Sequence, residues 1–414
     1  MHVDTLRLLD RYIGIPLCWA LTLLRRLGGL FSRTPSLPPP HRILIIKLSE
    51  MGSTVLAIPA LAELRRRCPK AELFFLVFEK NAAIVEVLEL LPAEHIITVG
   101  YKSPWQLMTS GFRALRQLLR ARIDTTIDMD LLSRLSAISA FLVCHGNRVG
   151  FHRYNEEGLY RGNLLTHRVL YSPHIHTSAA FMGLVLTLFA DPSDEPHYRG
   201  RIDPRDLSLP KYSPTANDIS SVRRKLETAG IQGAKNESLI IVNPNSSDIF
   251  PLRKWPLDNY AELCRRLLRD LPQCWLVITG VSSEQADARY IMERVRSPRC
   301  VDFTGKPNFR ELLALYSMTK VMVTNDSGPA HFASLLQLPT VVLFGPETPR
   351  LYAPLGDWHK DIYANYACSP CVSVYNGKNS PCRENRCLKA ILVDEVLTEV
   401  VSWMSIRIPP PGVN

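Results

Sequence analysis

Short apolar runs alternate with longer amphipathic segments along most of this chain, and they do so in two separate series. The first run, residues 43–47 (Ile-Leu-Ile-Ile-Lys), is apolar on both faces until its end, which reads as a parallel strand covered on both sides. A loop at 48–54 follows, then a helix over 55–67 that Pro69 ends. Strands at 73–78, 96–99 and 125–127 alternate with helices at 81–91 and 105–120, and Asp128 and Asp130 fall at the end of the last strand. Residues 191–214 are rich in Pro, Asp and Ser and read as a linker. The second series has strands at 238–243, 275–279, 300–303, 321–324 and 340–344, with helices at 258–271, 283–295, 309–317 and from 330. Alternation of this kind demands α/β architecture with parallel sheets, and 414 residues suffice for two cores. The expectation is two α/β lobes in tandem facing a cleft, one over 41–210 and one over 211–414. In such sheets ligands gather at the carboxyl ends of the strands.

Residues 1–40 stand apart. An apolar stretch at 13–24 is preceded by Arg11 and followed by Arg25 and Arg26. It is too short to span a bilayer, which takes about 20 residues. Pro16 and the lack of a small-residue cleavage motif argue against a signal peptide. Trp19 and the flanking arginines fit an amphipathic helix lying in a membrane interface. The alternatives are a helix packed on the protein's own surface or an oligomer contact. A proline-rich tether at 35–40 joins this segment to the body.

The net charge of +10 suits nucleic acid, an anionic membrane or a phosphorylated substrate. No zinc-finger spacing with paired histidines, recognition-helix pattern or interleaving of aromatic and basic residues is present, so nucleic acid is set aside. Six of the ten cysteines are scattered through helix- and strand-like segments and read as small buried apolar residues. That is no secreted disulfide framework.

The most informative motif is Asn325-Asp326-Ser327-Gly328-Pro329-Ala330-His331, placed between a strand and a helix. Asp326 or Ser327 can cap the helix, Pro329 suits its first turn, and Gly328 lets backbone approach a ligand. Free N–H groups and the helix dipole would make an anion site there, with His331 facing it. A second segment, Asn243-Pro244-Asn245-Ser246-Ser247 followed by Arg253-Lys254-Trp255-Pro256, combines hydroxyls with two cations. It fits a diphosphate clamp, with Arg253 gripping two oxygens and Lys254 acting as a point charge. Thr279-Gly280 ends another strand, and Glu284 beyond it could accept hydrogen bonds from a ribose. The plainer readings are an ordinary helix cap, a solvated loop anchored by Trp255 and a helix-start glutamate.

Taken in order, these segments resemble glycosyltransferase family 9, the heptosyltransferase group. The resemblance extends to Phe303-Thr304-Gly305-Lys306, Leu343-Phe344-Gly345-Pro346 and Ala353-Pro354-Leu355-Gly356, and runs from Arg42 to about Val400. It implies two Rossmann-like lobes of the GT-B type, with an acceptor held by the first lobe and a nucleotide diphosphate sugar by the second. ADP-heptose is the default donor. The resemblance also implies inversion at the anomeric carbon with no metal or other cofactor for catalysis. Ser246, Ser247, Arg253 and the Asp326–Gly328 backbone would hold the diphosphate, and Glu284 the nucleoside. The implied acceptor is an anionic glycolipid of the lipopolysaccharide type. The implied location is cytoplasmic, peripheral on the inner membrane.

The chain departs from the family at one telling position. The family's first loop reads Met-Gly-Asp, and that Asp is taken as the base; here Glu50-Met51-Gly52-Ser53 puts Ser53 in its place. Serine is no base unaided, so Glu50 is expected to supply the carboxylate, with Asp128 and Asp130 as rivals. The same departure leaves open a non-catalytic nucleotide-sugar-binding homologue, or another enzyme on the same scaffold, such as an epimerase. The remaining cysteines, Cys368, Cys371, Cys382 and Cys387, are spaced like a zinc knuckle and would hold a structural zinc; disulfides or free thiols are the alternatives.

Overall fold

The computed structural model describes residues 3–29, 39–131, 133–155, 158–191, 200–231, 238–246 and 250–405. The chain divides into two compact units, one of residues 1–207 with 373–379, the other of 208–372 with 380–414.

The first unit opens with α1 (Val3–Tyr12) and α2 (Gly14–Gly29). Then come β1 (Arg42–Ile46), α3 (Met51–Arg67), β2 (Glu72–Phe78), α4 (Ala82–Val87), β3 (Ile96–Val99), α5 (Pro104–Ala121) and β4 (Thr125–Asp128). It closes with α6 (Arg134–Val143), β5 (Asn147–His152), β6 (His167–Leu170) and α7 (Thr177–Thr187). The six strands are parallel, in the order β3-β2-β1-β4-β5-β6. Neither α1, α2 nor any other described helix is long and apolar enough to cross a membrane. Both N-terminal helices dock on this unit. Asp10 pairs with Arg134 at 2.9 Å, Thr22 Oγ1 accepts the Asn163 N–H, and Cys18 is fully buried beside Ala137 and Leu164. Most of the proline-rich tether lies outside the described residues.

Local chemistry explains where the elements differ from the sequence pattern. Helix α3 starts at Met51 rather than 55, because the Thr54 N–H and the Ser53 hydroxyl both bond to the Glu50 carbonyl and wind the loop into a first turn. The pattern predicts a helix over 81–91, yet α4 stops at Val87; Glu89 takes φ 47° and Pro92 follows, both incompatible with continuing it. Helix α5 is well delimited: Ser103 Oγ accepts the Gln106 N–H, Pro104 opens the first turn, and Arg122 at φ 51° ends it.

The second unit contains α8 (Ala216–Thr228), β7 (Ser238–Asn243), α9 (Leu257–Asp270), β8 (Cys274–Ile278), α10 (Gln285–Val295), β9 (Cys300–Asp302) and α11 (Phe309–Ser317). It continues with β10 (Thr319–Asn325), α12 (Gly328–Ser334), β11 (Thr340–Phe344), α13 (Pro349–Tyr352), β12 (His359–Tyr363), α14 (Arg386–Lys389) and α15 (Val393–Ser405). Its sheet is again parallel, β12-β11-β10-β7-β8-β9. Trp255 and Tyr260 are buried in its core, ring edge to face at 4.9 Å.

Both sheets are wound alike. Each starts at a central strand, grows to one edge, then returns and grows to the other. The chain direction reverses between β1 and β4 in the first unit and between β7 and β10 in the second. Those two junctions are the switch points, where helices leave on opposite faces and the carboxyl ends of the strands open a crevice.

Candidate active site

At the switch point of the first unit, the chain after β1 turns sharply at Glu50. This residue has φ 65°, a left-handed conformation costly for a side chain with a Cβ. Its carboxylate is one-third exposed and lies 3.2 Å from Lys378 Nζ. Lys378 is itself at φ 55° and nearly buried. It belongs to the segment 373–379, which is counted with this unit although the chain on either side of it belongs to the other. Tyr375 in the same segment anchors it, donating its hydroxyl to the Tyr171 carbonyl at 2.9 Å and packing edge-on against that ring. Ser53 is buried, and its hydroxyl is committed to the Glu50 carbonyl at 2.9 Å.

The rival carboxylates do other work. Asp128 is fully buried and ion-paired with Arg161, which also donates to Ser136 Oγ. Burial pushes the Asp128 carboxyl up to about 6 against the opposing pull of Arg161. A carboxylate enclosed and paired in this way is less open to an incoming hydroxyl than the one-third exposed Glu50. Asp130 accepts the Leu48 N–H at 3.0 Å and so holds the loop after β1 against the end of β4. At the end of β5 a cavity of about 540 Å³ is lined by Thr22 and Arg26 of α2, by His152 to Asn155 and by Tyr160 to Asn163, with Arg153 and Arg161 in its walls.

The second unit brings the motif segments together at its own switch point through Asn325. This fully buried amide donates to the carbonyls of Pro244 (2.9 Å) and Asn245 (3.2 Å). Its oxygen accepts from the Trp255 N–H and the Tyr260 hydroxyl, each at 3.0 Å. Arg253 Nη1 lies 3.5 Å from Asp326 Oδ2, joining the cationic segment to the loop before α12. Ser246 donates to the Phe250 carbonyl at 3.3 Å. Ser247 lies outside the described residues. After β8, Thr279 accepts from Asn243 and Asn245, while Glu284 Oε2 accepts the Val281 N–H at 2.7 Å. Gly280 sits where a Cβ would fall 2.4 Å from Asn245 Nδ2 and 2.7 Å from Glu284 Oε2. Any larger residue there would have to push both side chains aside.

Three sequence expectations change. Ser327, at the N-cap of α12, does not cap it with its side chain: the hydroxyl turns back to the Asn325 carbonyl at 3.2 Å. The Asp326 N–H is already donated to Leu343 O at 3.0 Å, so it is not an anion donor. Lys254 is engaged by Asp287 of α10 rather than left as a point charge. His331 sits in the first turn of α12, as the sequence pattern indicates, and is buried.

The cysteine cluster does not fit a four-sulfur zinc site as it stands. Cys368 and Cys382 are exposed, Cys371 is half-buried and accepts from Ser380 Oγ, and Cys387 is buried in α14. Among the described residues, no group of three or more His, Cys, Asp or Glu side chains is disposed to hold a metal ion.

Sequence reasoning missed Lys378, Arg161 and the role of Asn325. Lys378 is 328 positions from its partner and carries no local signal.

Residues 112–379 match the model of glycosyltransferase family 9 (heptosyltransferase). The chain belongs to glycosyltransferase family 9. Among family 9 relatives, it is 28% identical over 154 residues to lipopolysaccharide heptosyltransferase 2 of Salmonella typhimurium, a match covering 36% of this chain and 43% of that one. It is 22% identical over 312 residues to lipopolysaccharide heptosyltransferase 1 of Campylobacter coli, covering 73% and 84%. The structure of the Escherichia coli ADP-heptose LPS heptosyltransferase II superposes with a TM-score of 0.66 at 18% identity, over 88% of this chain and 98% of that one. Two parallel six-stranded sheets of identical winding are thus the GT-B architecture of family 9.

Proposed function

We propose that this family 9 member is an inverting, metal-independent transferase. It moves a sugar, by default heptose from ADP-heptose, to an anionic glycolipid of the lipopolysaccharide type at the cytoplasmic face of the inner membrane. The observation that carries this reading is the Glu50 carboxylate, held in a strained turn at the first switch point where the family's Asp is replaced by Ser53. Strain at such a place is characteristic of functional residues.

Glu50 takes the proton of an acceptor hydroxyl. The oxygen attacks the anomeric carbon, the bond from that carbon to the diphosphate oxygen breaks, and the nucleoside diphosphate leaves with the electron pair. The second unit binds the donor. Arg253, 3.5 Å from Asp326, meets the charge that develops on the diphosphate, which is the usual main source of catalysis. Ser246 and the Ser327–Gly328 backbone line the same strand ends, and Glu284 and Gly280 form the wall that would receive the nucleoside. The arginine-lined cavity beside β5 has the sign of charge an anionic acceptor requires. Helix α2, with Trp19 and Leu24 exposed next to Arg26, suits a membrane interface.

The test is thermal denaturation with ADP, UDP, GDP and CMP and their sugar conjugates, ADP-heptose included, followed by turnover with the one that stabilises. A ligand bound by the folded state alone raises the melting temperature. Stabilisation by ADP and its heptose conjugate, with release of ADP on adding acceptor, supports the reading. Stabilisation without turnover favours a binding protein that has lost its base, and no stabilisation by any nucleotide overturns both.

A further inference from the structure

Helix α5 carries two apolar faces, and its fold uses only one. Ala114 and Leu118 are buried against α6 and the sheet. On the opposite side, Trp105, Met108, Phe112 and Leu119 recur at spacings of three, four and seven. They therefore share one narrow stripe. All four are exposed, Trp105 at 72% and Phe112 at 62%. Exposed large side chains are ordinary when scattered; a stripe of four on one helix is not.

The charge carried by the helix itself is of one sign, while the Glu79 carboxylate of a neighbouring segment accepts from Gln106 at 3.2 Å. Lys102, Arg113, Arg116, Arg120 and Arg122 are all exposed, and no Asp or Glu occurs from 101 to 123. Arg116 lies over the Phe112 ring at 6.0 Å, placing a cation at the edge of the apolar stripe. The neighbouring helix continues the pattern. On α6, which shares the core of α5 on one side and packs on Cys18 and Leu21 of α2 on the other, Leu135 and Leu142 are exposed.

We infer that α5 is a docking surface for an anionic lipid bilayer, lying in the interface with Trp105 and Phe112 inserted and its arginines on the headgroups. The composition is that of an interfacial helix, aromatic and aliphatic on one side and basic beside it. A second copy of this chain is the wrong occupant. A two-fold contact of α5 on α5 would place the same five cations against themselves with no acid on either helix to meet them. This inference adds a second element to the membrane association of α2 proposed above and does not depend on the transfer chemistry.

The experiment is flotation of the full chain with vesicles of phosphatidylcholine alone or with phosphatidylglycerol, at low and high salt. The wild type floats with the anionic vesicles, and high salt weakens this because the headgroup attraction is screened. The double variant W105S/F112S, altered only at exposed positions, loses affinity by about tenfold or more. The charge variant R113E/R116E/R120E loses the preference for phosphatidylglycerol. Both are expected to keep the wild-type melting temperature and its rise with nucleoside diphosphate, which separates a failure of docking from a failure of the functional reading. The inference is overturned if the wild type ignores anionic vesicles, or if W105S/F112S floats like the wild type and leaves α2 as the docking element. It is also overturned if the wild type is a dimer that W105S/F112S splits.

Discussion

Lys378 Nζ and Glu50 Oε1 stand 3.2 Å apart, and both residues are in the left-handed region of backbone space. Two strained residues so far apart in sequence stay in contact only if the surrounding structure over-determines them, here through the Tyr375 anchor and the turn that opens α3. The ammonium fixes where the carboxylate points. E50Q keeps the shape and removes the base, and it is expected to lower kcat by about 10²–10⁴-fold. The melting-temperature rise with donor should persist, because the donor segments lie in the other unit. K378M should lower kcat by about tenfold or more without changing donor binding, and K378R should recover part of the loss. Wild-type kcat in E50Q would show that the base is elsewhere.

Gly280 tests the nucleoside wall. An alanine there forces aside Asn245 and Glu284, each already held by a backbone partner. Crowding of this kind costs about 1–3 kcal/mol. G280A is therefore expected to melt a few degrees lower and to lose most of the nucleotide-induced rise, with calorimetric titration of the nucleoside diphosphate as the direct check. Unchanged affinity would remove this wall from the donor site.

Asn325 holds three segments with one amide. Truncation in N325A leaves the Trp255 N–H and the Pro244 and Asn245 carbonyls without their partner in a dry interior, a loss of about 2–4 kcal/mol in urea unfolding. N325D should be no milder, because a carboxylate cannot donate to the two carbonyls and would meet them with like charge. Equal stability of N325D and the wild type would contradict the assignment of the amide.

What the sequence made legible follows from the range of each interaction. The two series of strands were readable because a doubly covered parallel strand is a continuous apolar run, as in Ile43 to Ile46. The segment from 131 to 190 was not, since β5 (Asn147–His152) mixes Asn, Arg and His with its apolar residues, and Arg148 is buried by bonding to the Leu164 and Cys144 carbonyls. The segments proposed to hold the donor could be placed at strand ends because a loop following a strand and opening a helix is a local pattern. Lys378 could not, because only the folded chain brings residues 373–379 to Glu50. The cysteine spacing is limited in the same way: spacing along the chain does not fix where Cys368 and Cys387 point.

The pair Asp128–Arg161 gives a prediction for pH. Folding moves the Asp128 carboxyl from its ordinary 3.8 up to about 6, chiefly by burial, with Arg161 opposing. A carboxyl raised in the folded state binds its proton more tightly there than in the unfolded chain. Its contribution is complete below about pH 4 and is lost as pH rises through about 6. The loss amounts to of order 3 kcal/mol for a shift of about two units. Wild-type unfolding free energy, followed from pH 4 to 7, is thus expected to carry this downward component. D128N cannot titrate and lacks it, so the difference between variant and wild type should move in the variant's favour across that window. The amide also presents an NH2 group where the carboxyl presents oxygens to Arg161 and Ser136, an offset that does not vary with pH, which is why the slope and not the absolute stability is the test. Parallel curves for D128N and wild type would mean that Asp128 stays ionised throughout, with the attraction of Arg161 outweighing burial.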